Sequence, residues 1–373
     1  MKRFLAVPAL AACLLLALVL GAQSGAAKPT IPTPKGFFGI DPQSALTDRD
    51  AEYMKAGGIE AVRWPLPWAG VQPTRTGGYH WEGFDEIVEV AARHGLTGLP
   101  FVYATPAWIS RKYTTLPVNN GRGRLAWTQF LEAAVRRYGP GGEFWSERAP
   151  GVVQYEPAIP RPVPIRSWQV WNEANFFYFA YPVSTGRFTR LLKISSPAIK
   201  RIDPGAKVIL SGLFGEPTAK GKRGMPARTF LKAVYRSPGI KRYFDGIALH
   251  PYAVFAEDLE EMVEDIHEVS VEAHDRVPLY ITEMGWGSEN NFEEVAFEQG
   301  PRGQVKQLKA SYGYLLENRR RLNLKQVYWF SWKDLKDQCT FCDSTGLFRE
   351  GPKFRAKPAW HAFVSVTGGR ARP

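Results

Sequence analysis

The chain has 373 residues, of which 45% are hydrophobic and 23% charged, with 29 Pro, 35 Gly, 12 Trp and only 3 Cys. One α/β barrel domain with insertions accommodates residues 28–373 comfortably, and neither an internal repeat nor a second domain is visible. The formal charge is +12, but no nucleic-acid motif accompanies it, so nucleic acid is excluded as a partner.

Residues 1–27 follow the order of a secretory signal peptide. Lys2 and Arg3 come first, then an apolar run from Phe4 to Leu20, then small residues ending Ser24-Gly25-Ala26-Ala27. Cleavage is expected after Ala26 or Ala27, giving an exported chain without stable membrane insertion. The apolar run is long enough for an uncleaved anchor, although Pro8 and the small-residue exit favour cleavage. Leu10-Ala11-Ala12-Cys13 also resembles a lipoprotein box, yet most of the apolar run follows Cys13. Losing Lys2 and Arg3 takes the net charge from +12 to +10.

After a Pro- and Lys-rich lead-in, strand and helix signals alternate. Gly36 to Ile40 is predicted as strand one, Thr47 to Ala56 as a helix stopped by Gly57-Gly58, and Ile59 to Trp64 as strand two. Trp81 to His94 is a helix with Phe84, Ile87, Val88 and Ala91 at helical spacing. Strand three covers Leu96 to Tyr103, and an amphipathic helix Leu125 to Tyr138. The Pro- and Gly-rich run from Pro140 to Pro164 is a long loop, and long loops in compact domains are usually functional or mobile. It would border a groove only by wrapping round, since it enters strand four from the other end.

Strand four is Ser167-Trp168-Gln169-Val170-Trp171, running on into Asn172-Glu173. Strict alternation puts Glu173 on the face of Trp171 and Gln169, with Trp168 and Val170 opposite. A helix over Gly186 to Ile202, kinked at Pro197, leads to strand five at Val208 to Leu213 and a helix at Ala227 to Tyr235. Strand six is Ile247 to Pro251, followed by the charged amphipathic helix Ala256 to His274. Strand seven is Val277 to Glu283, then the helix Gln304 to Leu322. Strand eight is Gln326 to Trp332, and Pro358 to Val366 is the closing helix. Eight strands alternating with helices, without a hairpin signal, predict a closed (β/α)8 TIM barrel.

Cys339 and Cys342 form a C-x-x-C pair, which suits redox chemistry, half a zinc site or a small disulfide loop. No Cys or His pair nearby completes a zinc site, and the pair sits in a loop instead of opening a helix. In an exported chain a disulfide is the expected outcome.

In such a barrel the chemistry gathers where strands end. There the sequence supplies Arg63-Trp64, Tyr103 to Trp108, Asn172-Glu173, His250-Pro251-Tyr252, Glu283, and Trp329 to Asp334. Each alone has a plain structural reading: a paired core cation, a satisfied imidazole, packing tryptophans. Together at one rim they are costly to bury without a function.

Arg63, Trp171-Asn172-Glu173, His250-x-Tyr252, Glu283 and the Trp-rich strand eight resemble clan A of the glycoside hydrolases, in particular its cellulase-like family 5 and xylosidase-like family 39. The similarity takes in Val71-Gln72-Pro73 and Thr105-Pro106-x-Trp108; Ala174 stands where Pro often follows Asn-Glu in these families. The resemblance implies Glu173 as acid/base and Glu283 as nucleophile of a retaining glycosidase. It implies Asn172 on the sugar hydroxyl beside the reacting carbon, Tyr252 and Arg63 on Glu283, and His250 lining the site or orienting the acid. Trp329 or Trp332 would form the sugar's floor. No metal or organic cofactor is implied. The partner is a poly- or oligosaccharide, for which the 13% of aromatic residues would provide stacking platforms. Lys220-Lys222-Arg223 and Arg319-Arg320-Arg321 then read either as solvated helix ends and loops or as attraction to an anionic polysaccharide or cell envelope. The rival reading is a catalytically idle carbohydrate-binding barrel, free to lose either Glu, Asn172 or Tyr252. None is missing.

Overall fold

The structure, a computed structural model, describes residues 33–149, 158–336 and 342–373. The expected signal peptide and Cys339 lie outside the described residues, so the pairing of Cys339 with Cys342 remains an expectation. The described residues fall within one compact unit, residues 31–373.

Nine strands lie parallel in the order β5-β4-β3-β2-β1-β9-β8-β7-β6. They are β1 (Phe38–Asp41), β2 (Ala61–Pro67), β3 (Thr97–Tyr103), β4 (Ser167–Val170), β5 (Lys207–Ile209), β6 (Leu213–Phe214), β7 (Ile247–His250), β8 (Leu279–Met284) and β9 (Leu324–Phe330). The two ends of that order, β5 and β6, are successive pieces of one extended run. The sheet therefore closes on itself. Closure is carried by Leu210 N–H donating to the Gly246 carbonyl (3.0 Å) and Glu173 N–H to the Gly212 carbonyl (3.0 Å). Eight staves, one of them broken, make the (β/α)8 barrel. Only glycine fits at the break: a Cβ on Gly212 would stand 1.9 Å from His250 Nε2, so the imidazole packs directly against the backbone of this stave.

The helices are α1 (Asp48–Ala56), α2 (Trp68–Val71), α3 (Glu82–Arg93), α4 (Gly121–Tyr138), α5 (Glu143–Glu147), α6 (Thr185–Ile202), α7 (Ala227–Tyr235), α8 (Ala256–Glu272), α9 (Gly300–Asn318) and α10 (Pro358–Thr367). Local chemistry sets their ends. Thr47 and Asp50 form a reciprocal capping box on α1, Asn120 caps α4 through Gly123 N–H, and Gly368 ends α10 at φ 74°. Helix α6 is helical throughout despite Pro197. None of the helices among the described residues is long and apolar enough to cross a membrane.

Two cores result. Ala61, Leu99, Ile209, Ala248, Tyr280 and Tyr328 fill the barrel's interior, while the larger cluster lies between strands and helices. On the interior face, the side chains above this plug form the next layer toward the strand ends, where the site lies. The described part of the 140–164 loop belongs to the outer wall. Trp145 donates its indole N–H to the Tyr138 and Gly139 carbonyls, and Arg148 pairs with Asp85 and Glu89.

Candidate active site

The site grows from Arg63, which β2 points into the barrel and which is fully buried. A buried guanidinium must have its donors satisfied. Nη1 donates to Asp41 Oδ2 (2.6 Å) and Glu283 Oε1 (2.7 Å), Nε to Gln169 Oε1 (3.0 Å), and Nη2 to Asn172 Oδ1 (2.7 Å). Its planar face lies 4.1 Å over the Phe101 ring. One cation thus ties together the ends of three strands, β1, β4 and β8. Asp41 and Gln169 were not among the expected site residues. The hint at Asp41 was an acid closing an apolar first strand, one residue beyond the predicted strand.

Glu283 receives a second donor, the Tyr252 hydroxyl, at 2.8 Å from Oε2. Glu173 faces it from the end of β4. His250 stands between them, with Nδ1 2.9 Å from Glu173 Oε1 and Nε2 3.4 Å from Glu283 Oε1. A carboxylate oxygen of Glu173, one of Glu283 and a His250 ring nitrogen all lie within 4.8 Å of one another. Such a triad can be a metal-ligand set, but here both Glu283 oxygens are already engaged, by Arg63 and by Tyr252, and the cation beside them is Arg63.

Strict alternation fails at the end of β4. Trp171 has φ 72° and Glu173 φ 38°, conformations that strain non-glycine residues and gather at functional sites. The turn sends Trp171 outward against Trp127 of α4, its indole donating to the Phe179 carbonyl. Trp171 and Gln169 therefore do not share a face as expected. Glu173 is desolvated by its depth in the barrel mouth instead of by a tryptophan wall.

The expected tryptophan floor is also corrected. Strand β9 pairs Ile40 with Trp329 and Asp41 with Phe330. Paired residues in a parallel ladder share a face, so Phe330 joins Asp41 inside and Trp329 joins Ile40 outside. Trp329 packs on Trp286 and donates to the Thr345 carbonyl; Trp332 donates to Asp50 Oδ1 and packs on Phe348 and Trp360. The ring beside the carboxylates is Phe330, edge-on to Tyr252 at 6.1 Å. Sequence reading passed over it because tryptophans flank it on both sides.

Burial raises the Glu173 carboxyl far above the usual range, and the Glu283 charge adds to that. Burial also pushes Glu283 up to about 7, and Asp41 adds to the push, against the pull of Arg63 and the Tyr252 hydroxyl. Arg63 and the Tyr252 hydroxyl favour the charged form, and desolvation outweighs them. His250 is held well below its ordinary value by burial and by Arg63, and is neutral. Arg63 Nη2, a donor, lies 3.5 Å from His250 Nε2, which favours the lone pair there and the proton on Nδ1 facing Glu173. Glu173 then keeps its own proton on the other oxygen. The arrangement can deliver a proton from one carboxyl and an electron pair from the other to a bond held between them.

The family described as β-galactosidase, glycoside hydrolase family 42, matches residues 42–135, about a quarter of the chain. No curated protein matches the sequence. Among solved structures, a family 39 glycoside hydrolase from Bacteroides cellulosilyticus WH2 superposes with TM-score 0.64 at 19% identity, covering 88% of this chain and 63% of that one. A monomeric β-xylosidase from Caulobacter crescentus CB15 gives 0.61 at 18% identity, covering 89% and 68%. A thermostable mutant of a xylanase from Cellvibrio japonicus gives 0.63 at 14% identity, covering 90% and 99%. The chain spans less than two thirds of the Bacteroides protein's length. The fold is that of the TIM-barrel glycoside hydrolases, and the resemblance to clan A extends from sequence motifs to the whole barrel.

Proposed function

We propose that the protein is an exported retaining glycoside hydrolase acting on a poly- or oligosaccharide. The observation that carries this is the opposition of Glu173 and Glu283, with carboxylate oxygens within 4.8 Å of each other. Retaining pairs have carboxyl groups about 5–5.5 Å apart, and inverting pairs stand wider to admit a water between them. Ionised Glu283 attacks the anomeric carbon while Glu173 gives its proton to the leaving oxygen, forming a glycosyl ester and releasing the leaving group as an alcohol. Glu173, now a carboxylate, takes a proton from water, which attacks the same carbon and frees Glu283. Asn172 has its Oδ1 committed to Arg63, so its amide N–H groups are turned to donate to the neighbouring sugar hydroxyl. The names of the solved neighbours, xylosidase and xylanase among them, support the substrate class.

Export through residues 1–27 and a Cys339–Cys342 disulfide belong to the same reading. Labelling of denatured, unreduced mature protein should find no free thiol. Product stereochemistry tests the mechanism: NMR before mutarotation should show retention at the anomeric carbon. Inversion, or absence of hydrolysis across a broad panel of aryl glycosides and polysaccharides, overturns the proposal.

A further inference from the structure

The loops that follow the strands on the Glu173 side of the barrel form one basic, aromatic wall. The loop after β3 carries Arg111 and Lys112, and the first turn of α4 that follows it carries Arg122 and Arg124, without an acid between residues 103 and 124; the loop after β6 carries Lys220, Lys222 and Arg223. Backbone bonds weld these loops to the one after β4. Tyr181 N–H donates to Thr114, Phe177 N–H to Arg223, and Val183 N–H to Lys222. Two cations are laid flat on rings of that loop, Arg223 at 3.8 Å from the Phe177 centroid and Lys112 at 4.7 Å from Tyr181. Elsewhere on the surface several arginines are paired with carboxylates, as Arg228 is with Asp265 and Glu268 and Arg321 with Glu264. Lys112, Arg122, Lys222 and Arg223 have no ion-pair partner among the described residues.

The wall also has a cleft of about 360 Å³, lined by Trp108, Ile109, Asn120 and Arg122. Trp108 is half-buried and fixed by its indole bond to the Gln72 carbonyl (3.0 Å), which holds its ring as a rigid surface. Tyr113 and Tyr178 stand exposed on the same loops, at 55% and 60%. Rings for stacking beside unpaired cations are what an acidic sugar needs: an apolar face for its C–H groups and a counter-charge for its carboxylate. The opposite rim has the reverse sign. The loop after β8 presents Glu289, Glu293 and Glu294, and the cleft there is lined by acids and amides.

We infer that this wall binds the acidic sugars of an anionic polysaccharide on the leaving-group side of the scissile bond, with Trp108 as platform and Arg122 and Arg223 as carboxylate readers. The side follows from Glu173, which ends the strand between these loops and donates to the leaving group; to that extent the inference rests on the glycosidase reading. The sign of the wall does not.

Binding is measured with full-length mature protein carrying Glu283→Gln, so that no turnover interferes. The probes are glucuronoxylan, polygalacturonate, alginate and hyaluronan, each beside its carboxyl-reduced neutral form. At least one acidic polymer should bind about tenfold tighter than its neutral partner at low salt, with the gap closing as salt is raised. Arg122→Gln with Arg223→Gln should weaken that polymer about fivefold. Arg320→Gln with Lys325→Gln removes equal charge at the other end of the barrel and should leave the preference intact. No preference for any acidic form, or equal loss in both pairs of variants, overturns the inference, as does equal retention on phosphatidylglycerol vesicles. Hydrolysis by wild-type protein is scored separately. Acidic-polymer binding without hydrolysis of any substrate sinks the glycosidase reading and leaves the wall; hydrolysis indifferent to polymer charge does the reverse.

Discussion

Glu173 and Glu283 end strands of the same barrel, are nearly equally buried, and share His250 as a neighbour, yet their surroundings oppose each other. Glu283 has a guanidinium at 2.7 Å and a phenol at 2.8 Å, both stabilising its charge. Glu173 has a neutral imidazole. Depth raises both carboxyls, and the partners decide which one gives up its proton first. A single arginine separates the two, because it bonds directly to the Glu283 carboxylate and, at the end of β4, to Gln169 and Asn172 but not to Glu173.

The comparison breaks most sharply by mutation of the carboxyls themselves. Glu283→Ala should lower kcat/KM on the order of 10^5-fold even with the best aryl leaving group, and no glycosyl-enzyme adduct should form with 2-fluoro sugars. An adduct on that variant would reverse the assignment. Glu173→Ala should lose about 10^3-fold on substrates whose leaving group needs a proton. It should spare the first step for dinitrophenyl glycosides, and added azide should speed their turnover.

The two faces of β9 extend the same test to packing. Trp332→Ala should lower stability by about 3–5 kcal/mol, read as a fall in melting temperature, with KM unchanged. Phe330→Ala should instead raise KM for short substrates several-fold with a smaller effect on melting. Equal effects would mean that β9 does not divide its roles between faces.

Proton linkage gives a smaller effect. Both carboxyls have folded-state values above their unfolded ones, so the native state binds more protons than the unfolded chain above pH ~4.5. Stability should thus be greatest below pH ~4.5 from these groups, and their contribution is lost as pH rises, through about 7 for Glu283 and through the raised range of Glu173. Denaturant titrations at pH 5 and 8 should show a decline of which on the order of 3 kcal/mol belongs to Glu283; Glu283→Gln removes that share and leaves the part due to Glu173. The acid limb of kcat/KM should fall near pH 7, where Glu283 ionises. A limb near 4.5 would mean that the partners outweigh burial after all.

Much of this was legible in the chain. Alternating strand and helix periods announced eight βα units because each period follows from local geometry, 2.0 residues for a strand and 3.6 for a helix. Polar residues closing apolar strands marked Arg63, Asn172, Glu173, His250, Tyr252 and Glu283, and the structure brings these six together. Failure came where local geometry is overruled. At Trp171 a left-handed residue reverses the alternation, and at residues 210–212 the strand run splits into β5 and β6, with the His250 imidazole packed on Gly212. In β9 the inward face belongs to Phe330 between two larger rings, a parity set by register with β1.

The sequence by itself determined the barrel, the strand ends and the identity of the two carboxyls, because patterning and residue chemistry are local properties. Only the tertiary structure decided that Asp41 and Gln169 complete the Arg63 network, that burial outweighs the Arg63 charge at Glu283, and that two basic segments, after β3 and after β6, are both bonded to the loop after β4. Those are sums over neighbours far apart in the chain. The balance between desolvation and Coulomb attraction is fixed by how deeply the fold buries Arg63 and its partners, and no single stretch of sequence specifies that depth.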